Sequence, residues 1–219
     1  MTAPLIELTD LELAEIEAHF RTLGLEPYRA RQVFAWIHRR GVTEFARMTD
    51  LGRDLRERLS AHFRCSTPEV AQRETSTDGT TKFLLTLGDR RAIESVYIPD
   101  GRRHTFCIST QVGCAMRCAF CLTGRMGMVR DLQPGEIVGQ VRVLALANSR
   151  FNIVLMGMGE PLHNYDRTMA AVRILASPAG LALPARRITL STVGVLPALA
   201  RLAQEPVMPN LAVSLHATT

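Results

Sequence analysis

Cys114, Cys118 and Cys121 stand at C-x3-C-x2-C inside Gly113-Cys-Ala-Met-Arg-Cys-Ala-Phe-Cys-Leu122. Three thiolates that close in sequence converge on one inorganic centre. Three ligands instead of four leave one iron of a four-iron cluster open, and an open iron can bind a small molecule and act on it. Cys107 lies seven residues upstream of Cys114, so a four-thiolate zinc site is the competing reading. Zinc sites usually use paired C-x2-C knuckles, and only one such pair is present. A disulfide framework does not suit a long chain with five cysteines, an odd number, and these point to a reducing, cytoplasmic setting.

Other polar residues sit where a ligand would need them. Gly157-Met-Gly-Glu-Pro161 puts glycines beside a carboxylate, so the backbone at Gly159 can approach a ligand while Glu160 accepts from an amine or hydroxyl. Taken alone, such a segment is a turn. Ser191 and the run Ser214-Leu215-His216 follow later apolar segments. Glu94 lies on an apolar stretch, where it is either a proton acceptor or a surface-strand glutamate. Cys107 alone could equally be a buried core thiol, and Cys65 is assigned a structural role.

These residues need elements to position them. Thr9 and Glu12 form a capping box for a first helix carrying Leu13, Ile16, Phe20 and Leu23, ended by Gly24. A second helix spans about 28–40, with Trp36 in its core, and a third begins after Asp50. Turn signals at Asp78-Gly79 and Asp100-Gly101 bracket an antiparallel pair, Lys82–Leu87 and Ala92–Ile98. Strands at Thr105–Ser109, Asn152–Met156, Arg187–Thr192 and Leu211–Leu215 then alternate with helices at about 134–148, 165–177 and 196–204. The expected fold class is α/β, with a parallel sheet and crossover helices. The expected division is a helical domain over 1–66, an antiparallel β segment over 67–103 and a parallel core over 104–219. The cysteine loop, Gly157–Pro161, Ser191 and Ser214 all fall at carboxyl ends of the parallel strands, where such folds place their sites.

Nearly half the residues are hydrophobic, at 47%, enough for a sizeable core. No apolar run approaches the length of a membrane span. The net charge is +5, with Arg outnumbering Lys 25 to 1. From Gly101 to Arg130 there are five arginines and no Asp or Glu. A positive rim at the cysteine loop suits a polyanion such as RNA, although a compositional preference for Arg would look the same.

The ordered segments Ile93-Glu-Ser-Val-Tyr-Ile-Pro99, Cys107-Ile-Ser-Thr-Gln-Val-Gly-Cys114, the cysteine loop, G-M-G-E-P, L-S-T-V-G and S-L-H-A closely resemble the adenine-C2 RNA methyltransferases of the radical S-adenosylmethionine (SAM) class. The resemblance runs along essentially the whole chain and also suits a sister group that methylates C8. It implies a radical-SAM (β/α) barrel, here about four of six strands, and a 4Fe-4S cluster on Cys114, Cys118 and Cys121. It implies SAM contacts from Gly159, Glu160, Ser191, Ser214, Leu215 and His216. The implied substrates are 23S ribosomal RNA and transfer RNA, with a flavodoxin or ferredoxin as reductant. The implied mechanism uses two SAM molecules: one methylates a cysteine near the C-terminus, and a radical from the other activates that methyl group to add to adenine C2. Glu94 matches the carboxylate that removes the C2 proton, and Cys107 the thiol that resolves the protein–RNA adduct through a disulfide. A zinc-stabilised RNA-binding protein without catalysis is the alternative from another class. No cysteine follows Cys121 and only four barrel strands are present, so the chain is expected to be part of a longer enzyme and not to turn over alone.

The spacing generates a direct test. In anaerobically reconstituted protein, Cys118→Ala is expected to abolish iron and acid-labile sulfide, while Cys107→Ala leaves both intact. Equal metal loss from the two variants would favour the four-thiolate zinc site.

Overall fold

The structure is a computed structural model, and it describes residues 4–101, 103–144 and 151–215. The chain opens with a short strand, β1 (Ile6–Glu7), and three helices follow: α1 (Leu13–Thr22), α2 (Pro27–His38) and α3 (Arg53–His62). Strand β2 (Phe63–Arg64) returns to pair in parallel with β1. The first helix does not start as the sequence pattern suggests. Its N-cap is Glu12, and Glu15 completes the capping box, while Thr9 belongs to a 3-10 turn capped by Glu7. Glutamate reaches back to free backbone N–H groups as the hydroxyl does, so the box moved by one turn. Trp36 is a core residue as expected, its ring nitrogen donating to Asp50 Oδ1 at 2.5 Å.

Next come β3 (Glu69–Thr75), β4 (Thr81–Thr86), β5 (Ala92–Asp100) and β6 (Arg103–Cys107). The antiparallel part has three strands, not two. Strand β3 was missed because all of its residues are exposed, so no apolar alternation marks it. Strand β7 (Gln111–Gly113), helix α4 (Leu122–Met126) and β8 (Met128–Asp131) frame the cysteine loop. Helix α5 (Pro134–Leu144), β9 (Phe151–Leu155), α6 (Tyr165–Ala176), β10 (Ile188–Thr192), α7 (Leu196–Leu202) and β11 (Asn210–Val213) complete the alternation.

One seven-stranded sheet results, in the order β11-β10-β9-β6-β5-β4-β3. Strands β6, β9, β10 and β11 are parallel, as expected, and β5, β4 and β3 continue the same sheet antiparallel. The mixed α/β architecture with about four barrel-type strands is therefore present. Burial alternates along β9 and β10. Ile93, Phe106, Ile153, Leu155, Ile188 and Leu190 join α5 and α6 in one apolar core. The register places Glu94, Val96, Cys107, Val154, Thr189 and Ser191 on the opposite, more open face.

The N-terminal helices pack on this core through specific contacts. Arg173 of α6 reaches Glu12 and Glu205, both at 2.9 Å, and Arg39 donates to the carbonyl oxygens of Gly180 and Pro178. At the start of α5 the approach is closest. A Cβ on Gly135 would lie 2.7 Å from Asp10 Oδ1 and overlap Thr9 Oγ1, so only glycine admits this docking. Asp10 accepts from the Gly135 N–H at 2.9 Å and satisfies a free donor at the helix start. Burial raises its carboxyl from 3.8 to about 6, against the lowering effect of that N–H.

A carboxyl raised on folding is costly when ionised, and the folded state takes up a proton as pH falls through about 6. Asp10→Asn keeps the acceptor and removes the charge. Scaled down for partial exposure, it should stabilise the protein at pH 7 by on the order of 1 kcal/mol. The advantage should shrink as the pH falls through about 6 and vanish below 3.8, where wild-type Asp10 is protonated in both states. Urea unfolding at the two pH values measures both quantities.

Candidate active site at the strand ends

Strand β6 ends at Cys107, and the chain then runs Ile108-Ser109-Thr110-Gln111 along the bottom of the site. The G-M-G-E-P loop after β9 lies against this run. Met158 donates its N–H to Ser109 Oγ at 2.8 Å, and its carbonyl oxygen accepts from the Thr110 N–H at 2.8 Å. Glu160 N–H donates to Gln111 Oε1 at 2.9 Å. Gly159 sits at φ +101, and a Cβ there would fall 2.6 Å from Gln111 Cβ. The glycine is needed on both counts, for its left-handed backbone and for the approach to Gln111.

Gln140 of α5 holds the floor from beneath, and is fully buried. Its Oε1 accepts from Ser109 N–H at 2.7 Å and from Ser95 Oγ at 2.8 Å, while its Nε2 donates to Ser109 O at 2.9 Å. Asn164 Nδ2 donates to the carbonyl oxygens of Thr110 and Leu132, both at 2.8 Å. Sequence reasoning gave no role to Ser109, Gln111, Gln140, Asn164 or Thr192. A clue was available for Ser109 and Gln111, which lie inside the segment that starts at Cys107, and for Thr192, which lies inside L-S-T-V-G. Gln140 and Asn164 carry no such mark.

The same floor positions Glu94. Its backbone N–H donates to Met158 Sδ at 3.3 Å, and its carbonyl oxygen accepts from Ser109 Oγ at 2.6 Å. The peptide is thus clamped between the β6 exit and the glycine loop. The Glu94 side chain is half exposed on the open face, not desolvated, and Lys82 Nζ lies 3.4 Å from its Oε1. Cys107 opposes Val96 on the neighbouring strand and shares that face. Burial pushes its thiol up, against a lowering hydrogen bond from the Met156 backbone, so the thiol is neutral at ordinary pH.

Glu160 is buried, at 3% exposed, and bridges two strand ends. Its Oε1 accepts from Thr192 Oγ1 at 2.7 Å and Leu162 N–H at 3.0 Å, and its Oε2 accepts from Val193 N–H at 3.0 Å. Three of about four acceptor positions are therefore in use, two on Oε1 and one on Oε2. Ser191 Oγ and Ser214 Oγ are 3.2 Å apart across β10 and β11, while Leu215 is exposed. His216 lies outside the described residues.

The cysteine loop carries three thiols, none in a disulfide. Burial raises the Cys114 thiol first, and the charges of Cys118, Glu160 and Cys121 raise it further. A cationic centre would relieve that mutual repulsion, so the donor set fits one. Among the described residues no group of three His, Cys, Asp or Glu side chains forms a ready-made metal site.

The arginine rim is less uniform in space than in sequence. Arg130 forms a bidentate pair with Glu136 and also meets Asp89 at 2.7 Å, and these acids hold its pKa above the usual arginine range. Arg125 donates to the Ala119 carbonyl oxygen at 3.2 Å. Arg102 and the side chain of Arg103 lie outside the described residues. The expected positive rim is therefore offset at Arg130, where folding brings in Asp89 and Glu136 from outside the stretch.

The radical SAM superfamily profile matches residues 108–219, which is the strand-end architecture just described. This chain belongs to the radical SAM superfamily. Residues 6–65 match the ribosomal RNA large subunit methyltransferase N-terminal domain. Among curated proteins, the dual-specificity RNA methyltransferase RlmN of Rhizorhabdus wittichii is 47% identical over 228 residues, covering 98% of this chain and 56% of that protein. The RlmN proteins of Geobacter sulfurreducens and Magnetococcus marinus are also 47% identical, covering 98% and 99% of this chain and 59% and 62% of their own lengths. A crystal structure of a radical SAM methyltransferase from Sphaerobacter thermophilus superposes with a TM-score of 0.90 at 43% identity, covering 97% of this chain and 64% of that one. The chain spans a little over half the length of these curated relatives. Among the described residues, no helix is long and apolar enough to cross a membrane.

Because Glu160 braces the β9 and β10 loops as well as facing the site, Glu160→Ala should cost about 2–4 kcal/mol in stability. Urea unfolding measures this, and iron content should stay unchanged. An unaltered unfolding midpoint would show that the buried bridge contributes nothing.

Proposed function

We propose that this chain forms the N-terminal module and part of the catalytic core of a radical SAM RNA methyltransferase acting at C2 of adenine. The observation that carries the reading is the clamp on Glu94. Its peptide is bonded at once to Ser109, from the segment leading to the cysteines, and to Met158, from the glycine loop. A proton acceptor, a cluster loop and a SAM loop thereby share one floor. The relatives' names support two kinds of RNA substrate, proposed here to be 23S ribosomal RNA and transfer RNA. The N-terminal module over 6–65 supports ribosomal RNA as one of them.

Cys114, Cys118 and Cys121 would hold a 4Fe-4S cluster, with SAM at its open iron. Bound there, the group supplies one-electron cleavage of SAM, the entry to radical chemistry at a ring carbon with no nucleophilic character. The chain's own residues do the rest. Gly157 and Gly159 let backbone approach the SAM methionine end, and the remaining acceptor position of Glu160 takes its amine. The paired hydroxyls of Ser191 and Ser214 offer polar contacts at the edge of the same pocket. Glu94 accepts the C2 proton, and its half-exposed carboxylate can pass that proton to water. Cys107, neutral until attacked or oxidised, serves as the resolving thiol on the same face. Exposed arginines such as Arg117 contribute phosphate contacts, and an acidic flavodoxin or ferredoxin is the proposed electron donor.

The test uses a protein of the relatives' full length carrying this sequence, with labelled SAM, a reductant and unmodified ribosomal RNA. Wild type is expected to form 2-methyladenosine. Glu94→Gln is expected to keep the cluster and SAM cleavage and to stall as a covalent protein–RNA adduct. Full turnover by Glu94→Gln would remove Glu94 from the mechanism, and an 8-methyladenosine product would overturn the C2 assignment.

A further inference from the structure

Of the 26 cationic Lys and Arg side chains in this sequence, 25 are Arg and one is Lys. That one is Lys82, on β4. Its Nζ lies 3.4 Å from Glu94 Oε1 and 3.6 Å from Glu74 Oε2 on β3. The register explains the meeting: Lys82 opposes Glu74 on one side and Val96 on the other, one row from Glu94 on the same face. All three side chains are about half exposed, and exposed ion pairs add little to stability. A structural brace is therefore a poor reason for the only lysine to sit here. An ammonium is a compact charge with three rotatable donors, so it can serve two carboxylates and turn from one to the other. A guanidinium is a planar fork that favours a single bidentate partner.

We propose that Lys82 is the positioning residue for Glu94: its ammonium, shared with Glu74, holds the Glu94 carboxylate aimed across the open face of the sheet until the C2 proton arrives. The proposal rests on the reading of Glu94 as the base. In the step concerned, the C2–H bond of the adenine adduct breaks, the proton passes to a Glu94 oxygen, and the electron pair stays with the adduct. Nothing is oxidised or reduced in that transfer. Glu94 becomes neutral, and the ammonium keeps Glu74 as its partner, so it is never left unpaired. Among the described residues, the charged or titratable groups beside Glu94 on this face include Lys82, Glu74 and the neutral Cys107 thiol. Lys82 itself is raised above the usual lysine range, first by its hydrogen bond to Glu94 and then by the charges of Glu94 and Glu74, so it remains an ammonium across neutral pH.

A sole lysine makes the test direct. Selective labelling with 13C-lysine gives the 219-residue chain one lysine ε-methylene signal, that of Lys82. In a pH titration it is expected to show an inflection in the acid range that Glu94→Gln diminishes and that only Glu94→Gln together with Glu74→Gln removes. An acid inflection that Glu94→Gln leaves unchanged overturns the pairing. In the protein of the relatives' full length, Lys82→Met is expected to slow methylation on the order of tenfold. It should also accumulate the protein–RNA adduct, with iron content and SAM cleavage unchanged. Lys82→Arg, which keeps the charge, should recover part of the rate. A wild-type rate without adduct in Lys82→Met, or loss of iron and SAM cleavage in that variant, overturns the proposal. If Glu94→Gln stalls while Lys82→Met behaves as wild type, only the positioning role fails; if Glu94→Gln turns over, the base reading itself fails.

Discussion

A buried amide, Gln140, governs the geometry of this site. A side-chain amide away from water must satisfy both its donor and its acceptor. Gln140 does so on Ser95 and on both backbone groups of Ser109, which locks α5, β5 and the exit of β6 into one arrangement. Ser109, held in that way, has its hydroxyl free to bind Glu94 O and Met158 N–H. From one buried network follow the position of the candidate base, the path of the glycine loop and the direction in which the chain leaves for the cysteines. Buried networks of this kind are costly when half satisfied, so they admit one geometry.

Glu160 applies the same constraint one strand further along. Its carboxyl group is nearly inaccessible to water, so it needs several donors. It finds them on Leu162, Thr192 and Val193, and so the ends of β9 and β10 are fixed relative to each other. The consequence is a division of labour within one side chain. Most of the acceptor capacity ties the two strand ends together, and the remainder is the proposed contact for the SAM amine. A position that reads in sequence as a ligand contact is also a structural tie.

The N-terminal module is held to the core by polar contacts of similar specificity. Asp10 closes the start of α5 over Gly135, and Arg142 from that helix reaches back to Ser66 O at 2.7 Å and Thr67 Oγ1 at 3.2 Å. Helix α5 therefore carries Gln140 under the site and the contacts of the N-terminal module along its own length. Placement of that module and placement of the reactive floor are coupled through one rigid helix.

Local sequence determined what depends on short spacing. C-x3-C-x2-C identified the cysteine loop, alternating apolar residues identified β9 and β10, and helical periodicity identified α2, α5 and α6 within a few residues. G-M-G-E-P identified the glycine loop, because glycine at φ +101 leaves a compositional mark. What the sequence did not show has one physical cause: it depends on contacts between distant segments. Strand β3 has no apolar face to announce it, Arg130 meets its neutralising acids only after folding, and the α1 cap is taken by a glutamate that either assignment would allow. Gln140, Asn164 and Thr192 acquire their roles solely from partners 31 to 54 residues away. Membership of the radical SAM superfamily was legible because its motifs are written in residue types, while the geometry of the strand ends was decided by the hydrogen-bond demands of groups that tertiary packing removes from water.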